Sequence, residues 1–69
     1  MYRYVVRNIT RGDKLEEIKA TDDKEAIKFF IMEYGHRVSE SLILEKRDSQ
    51  DNVLLILRTK MAINFSLSA

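Results

Sequence analysis

Cysteine is absent from the 69 residues. That excludes disulfides and thiolate metal sites. Histidine occurs once, at His36, too sparsely for a zinc site built from protein ligands alone. No run of about 18 apolar residues exists, so no membrane-spanning helix is expected. Neither sign of charge prevails: 12 basic residues face 11 acidic ones, a formal net charge of +1. A strongly basic domain, the usual footprint of nucleic-acid binding, is therefore not indicated by the overall balance. Met1-Tyr2-Arg3-Tyr4 has no signal-peptide core, and a cytoplasmic location is the expectation. Linkers, internal repeats and low-complexity segments are also missing, which points to a single domain over residues 1–69. There is no glycine-rich phosphate loop and no carboxylate pair at a recognisable catalytic spacing. Neither an enzyme nor a bound cofactor is expected.

What is present is the composition of a folded domain, 45% apolar and 33% charged. A chain of this length buries only roughly 60% of its unfolded surface, so its core is thin. Small domains usually add a disulfide, a metal or a second subunit. With the first two excluded, self-association is the reinforcement that remains.

Residues 2–9 are β-branched and aromatic and read as a strand. Tyr2, Tyr4 and Val6 share one face, and Arg3, Val5, Arg7 and Ile9 share the other. Gly12 marks a hairpin turn, and residues 14–20 return as a second strand. Leu15 and Ile18 fall on opposite parities there, which a β-bulge, or one edge-facing apolar residue, would reconcile. Thr21-Asp22-Asp23-Lys24-Glu25 is a helix start, with Asp22 as N-cap and Glu25 placed to reach back to the cap N–H. The helix is predicted to end near Tyr34, with Gly35 as a left-handed terminator. Ala26, Ile27, Phe30, Ile31 and Tyr34 form its core stripe, while Phe29 and Met32 lie outside it. Residues 38–47 are predicted as a third strand, 48–52 as a turn and 53–59 as a fourth strand. The five successive apolar residues of that last strand imply that both its faces are covered.

The tail, residues 61–69, alternates Met61, Ile63, Phe65 and Leu67 with smaller or polar residues. It reads as a fifth strand, a continuation of the fourth, or a strand exchanged with another subunit. The expected fold is α+β: a two-layer ββαββ arrangement with one helix packed on a four- or five-stranded antiparallel sheet.

Several motifs carry an ordinary meaning beside a sharper one. Arg11-Gly12-Asp13 spells an integrin-recognition tripeptide, but it is also common turn chemistry. Asn8-Ile9-Thr10 and Asn64-Phe65-Ser66 match the glycosylation pattern, without a secretory signal to use it. His36 lies near Ser39, Glu40 and Ser41, but nothing in the spacing enforces a nucleophile–base pair. The acidic set Glu16, Glu17, Asp22 and Asp23 lacks calcium-loop spacing and reads as a solvated face with helix capping. The stretch Glu17-Ile18-Lys19-Ala20-Thr21-Asp22-Asp23-Lys24-Glu25-Ala26-Ile27 resembles the strand-to-capped-helix junction common in small phage and mobile-element proteins. The resemblance carries no functional residue with it.

Two surfaces stand out. Phe29, Met32, Leu54, Ile56, Ile63, Phe65 and Leu67 are apolar positions that one helix on a small sheet cannot all hide, and such surplus marks a partner interface. The leading expectation is a non-enzymatic protein-binding or regulatory module, homodimeric and able to inhibit or regulate a larger protein. The alternative is a nucleic-acid-binding regulator. It would use a basic, tyrosine-flanked sheet face of Tyr2, Arg3, Tyr4, Arg7, Arg11, Arg58 and Lys60.

Overall fold

A computed structural model describes residues 2–68. The elements run β1 (Arg3–Asn8), β2 (Asp13–Ile18), α1 (Asp23–Tyr34), β3 (Leu42–Arg47), β4 (Val53–Arg58) and α2 (Thr59–Ser68). The four strands form one antiparallel sheet in the order β2-β1-β3-β4. The α+β class and the four-stranded antiparallel sheet are as the sequence led us to expect.

The tail is different. Residues 59–68 are helical, so the architecture is ββαββα. There is no fifth or exchanged strand from residues 61–68, and Ala69 lies outside the described residues. The physical reason lies in what the sheet needs. A single 12-residue helix cannot roof four strands, and α2 fills the remaining half of that layer, in contact with α1, β3 and β4. Among its described side chains the buried ones are Thr59 and Ala62, three apart on one helical face. Ala62, on the small-residue side of the tail's alternation, is the one fully buried.

One apolar cluster holds the layers together. It joins Tyr4, Val6, Ile18, Leu42, Leu44 and Leu57 of the sheet to Ala26, Ile27, Phe30 and Tyr34 of α1 and Ala62 of α2. The expected α1 stripe is the buried one, with Ile31 partly buried. The helix start is also as anticipated in its main bond: Asp22 Oδ1 accepts from the Glu25 N–H at 2.8 Å. Glu25 itself reaches back one residue further than expected, to the Thr21 N–H at 3.1 Å.

The glycines behave differently from each other. Gly12 has φ +77°, as a tight hairpin turn requires, and its N–H donates to the Asn8 carbonyl at 2.7 Å. Gly35 is right-handed, φ −60°, not the left-handed terminator expected. Glycine is needed there for space, because a Cβ would lie 2.4 Å from the Ile31 carbonyl oxygen. The third strand is shorter than expected. Residues 37–41 form turns, and Val38 is exposed there.

No helix among the described residues is long and apolar enough to cross a membrane.

Candidate functional site

The helices cover one face of the sheet and leave the other open. On the open face, alternation places Arg3, Val5 and Arg7 of β1 beside Ile43, Glu45 and Arg47 of β3. Ile56 and Arg58 of β4 continue the row, opposite Glu45 and Ile43. At the other edge β2 carries a bulge: Val6 pairs with Glu16 and Arg7 with Lys14, leaving Leu15 as the extra residue. This is the irregularity that the opposite parities of Leu15 and Ile18 call for.

The arginines of this face are held by acids. Glu45 is buried and accepts from Arg7 Nε at 3.1 Å and from Arg47 at 3.3 Å. Arg3 bridges Glu17 at 3.3 Å and Asp51 at 2.9 Å. Arg47 also reaches Asp51 at 3.2 Å. Val5 and Ile43 are buried at the centre of the face. Their register neighbours include Glu45, Arg7 and Arg58, long side chains whose stems cover apolar groups.

The tyrosines are elsewhere. Tyr4 is buried under α1, where its hydroxyl donates to Asp23 Oδ1 at 2.7 Å. Lys46 Nζ approaches the same oxygen at 2.9 Å and lies 4.2 Å from the centre of the Tyr2 ring. The bond from Lys46, then that from Tyr4, holds the Asp23 carboxyl below its ordinary value. Burial first, and the Asp23 carboxylate second, push the Tyr4 hydroxyl above its own. At the other end of α1, the Tyr34 hydroxyl donates to Glu16, and Tyr34 is pushed up to about 12, by burial first and Glu16 second. Two tyrosine–carboxylate bonds therefore anchor α1, one to β1 near its start and one to β2 near its end. The residues that make them are legible in the sequence only as strand and helix members.

The basic, tyrosine-flanked face is thus not one surface. Arg3, Arg7 and Arg58 lie on the open face, while Tyr2 and Tyr4 belong to the helix-covered one. Tyr4 has no ring face exposed for stacking a base, being almost fully buried. Arg11 sits in the β1–β2 turn, paired with Asp13 at 3.0 Å. Lys60 is on α2, not on a strand. The split follows from alternation: neighbouring residues of a strand point to opposite faces.

The apolar set also divides. Leu54 and Ile56 are on β4, whereas Phe29 and Met32 are on α1 and Ile63, Phe65 and Leu67 on α2. Ile63 is half-buried and the other six are exposed. Within the chain itself the outer side of β4 is left uncovered. Among the described residues nothing packs over Leu54 and Ile56. Val53, the first residue of β4, is also exposed.

The edges of the sheet differ in kind. β2 (Asp13–Ile18) offers Asp13, Lys14, Glu16 and Glu17 along a bulged strand. β4 is also bulged, at Leu54 between the Lys46–Leu55 and Arg47–Val53 pairs, but it reads Val-Leu-Leu-Ile-Leu before Arg58, with no charge, and β3 is its one partner among the described strands. Val53, Leu54 and Ile56 are 43%, 51% and 51% exposed.

No hydrogen bond among the described residues joins His36 to Ser39 or Ser41; Glu40 is engaged instead by Arg37, at 2.5 and 2.8 Å. Among the described residues no three His, Asp or Glu side chains gather as a metal site would require. Compared with protein-family models, curated proteins and solved structures, the chain matches none.

Proposed function

We propose that this chain is a non-enzymatic protein-binding module whose partner is a second copy of itself, joined through the β4 edge. The observation that carries this reading is the contrast between the two sheet edges. An exposed edge strand offers a row of unpaired N–H and C=O groups, and natural sheets blunt such edges with charges and bulges. Both edge strands carry a bulge, at Leu15 in β2 and at Leu54 in β4, but only β2 is charged along its length. From Val53 to Leu57, β4 has no charge, and three of its side chains are about half exposed.

A second copy suits this edge for three reasons. Antiparallel pairing of β4 with its own equivalent is self-complementary under a twofold axis, so one patch serves both subunits. Such pairing lays Leu54 and Ile56 beside the same residues of the other copy, which removes apolar surface from water on both sides. It also supplies the reinforcement that a thin core without disulfides otherwise lacks.

The test is the solution mass of the full chain by light scattering, beside an Ile56→Lys variant. The expected wild-type mass is twice the 8.1 kDa of one chain. The variant should be monomeric and retain the wild-type circular dichroism spectrum, since residue 56 is half exposed. A wild-type monomer at the concentrations NMR requires would refute the reading. So would an Ile56→Lys chain that remains dimeric.

A further inference from the structure

α2 follows β4 without a loop, so a partner at the β4 edge also meets the helix above it. Two apolar side chains of α2, Met61 and Phe65, are each 53% exposed. Resting on the β4 pairing proposed above, we infer that the second copy is held in two layers. As the β4 strands join below, Met61 and Phe65 pack above against the same residues of the other copy's α2.

Handedness decides which way these residues face. β2 and β3 both run antiparallel to β1, which lies between them, so they are parallel to each other. The connection from β2 to β3 passes through α1, and such crossovers are right-handed. Seen from the helix side with β3 pointing up, the order β2-β1-β3-β4 then runs from left to right. α1 lies to the left, tied to β1 and β2 by its tyrosine bonds. α2 lies to the right, over β3 and β4, and runs back along β4. Thr59 and Ala62 mark its inward face. At 100° per residue, Ile63 falls on the flank toward α1. Met61 and Phe65, four apart, fall on the opposite flank, over the free edge of β4. Burial agrees with this placement. Ile63 is half-buried, and Ile31, on the flank of α1 that the same geometry turns toward α2, is partly buried too.

Spacing and level fit a second copy. With strands about 4.8 Å apart, the two α2 axes across a joined β4 pair lie two strand spacings apart, about 9.6 Å. Helices pack at roughly 8–10 Å. Phe65 is six residues from the start of α2, about 9 Å along its axis, or roughly three strand residues back from Arg58. It stands level with the middle of β4, where the twofold axis of a fully paired edge passes. No side chain in residues 61–68 is charged, so two identical flanks meet there without repulsion. The paired edge alone offers one six-residue strand per copy, a narrow contact against the roughly 1,200–2,000 Å² that stable interfaces bury. The α2 flank widens it.

The experiment is the dimer dissociation constant of the full chain, measured by analytical ultracentrifugation. Wild type is compared with Ile56→Lys, Phe65→Glu, Met61→Glu and Phe29→Ala, each checked for its fold by circular dichroism. Phe65→Glu should weaken the dimer about a hundredfold, since the twofold axis brings both glutamates together. Met61→Glu should weaken it about tenfold. Phe29→Ala, on the flank of α1 that faces away from α2, should leave it unchanged. In a mixture of labelled and unlabelled chains, isotope-filtered NMR should show the Phe65 ring of one copy against the Met61 methyl of the other. Should Phe65→Glu lose its fold, Met61→Glu and these wild-type contacts decide. A dimer that Ile56→Lys dissociates, but that Phe65→Glu and Met61→Glu leave at wild-type affinity, would overturn the inference and leave the β4 pairing standing. A wild-type monomer, or a dimer indifferent to Ile56→Lys, would overturn both.

Discussion

Phe30→Ala is the perturbation that best tests the architecture, provided that Phe29→Ala is made beside it. The two phenylalanines are adjacent in α1 and differ by one step of 100° around the helix. Phe30 is fully buried in the cluster that joins both helices to the sheet, with its ring centre 5.8 Å from that of Tyr34. Phe29 is 37% exposed and outside the cluster. Truncating a buried phenylalanine costs about 3–5 kcal/mol, the spread reflecting how far the site can collapse. Phe30 lies in the middle of α1, between a sheet on one side and α2 beside it, so little collapse is available. Loss of the contact with Tyr34 adds to the cost, and we expect about 4 kcal/mol in all. Against about 0.05–0.15 kcal/mol of stability per residue, that is a large part of what a 69-residue chain has. Phe29→Ala should cost about 1 kcal/mol, since much of its ring is already wet. Urea unfolding followed by circular dichroism measures both. Equal costs for the two variants, or a Phe30→Ala chain that melts at the wild-type temperature, would mean that α1 presents a different face to the sheet.

The ion network of the open face makes a second prediction. Glu45→Gln removes the charge that Arg7 bonds beneath the surface, and should cost about 2 kcal/mol, with the double variant Arg7→Gln/Glu45→Gln costing less than the two separately. Additive costs in urea melts would show that the pair is not coupled. The third concerns alkali. The Tyr34 hydroxyl is raised in the fold from 10.0 to about 12, so the unfolded chain releases its proton first. Its contribution is full below about pH 10 and is lost as pH rises through about 12. Stability should therefore fall over that range, less steeply in Tyr34→Phe, and identical pH profiles for the two chains would remove Tyr34 as a cause.

Local chemistry made several elements legible. The capping run at Thr21–Glu25, the α1 stripe and the turn at Gly12 all follow from neighbours in sequence. The clash of parity between Leu15 and Ile18 pointed to a bulge or to one outward-facing apolar residue, and the strand has both: a bulge at Leu15, whose side chain is exposed. The tail had no such local determinant. Met61, Ile63, Phe65 and Leu67 fit a period of two, but over so few residues that pattern competes weakly with a neighbouring surface that needs covering. The same limit applies to the candidate sites. Alternation already set Tyr2 and Tyr4 apart from Arg3 and Arg7, but which face the helices would cover was not decided by β1 itself.

The sequence by itself determined the α+β class, the four strands, the first helix with its buried stripe, and the absence of disulfides. These rest on periodicity, propensity and covalent chemistry, which act over a few residues. Only the tertiary structure decided that the tail is a helix, that Glu45 is buried between two arginines, and that the uncharged β4 is an edge strand. Those outcomes depend on strand order and on which surface remains bare once α1 is in place, and neither is encoded within any single segment.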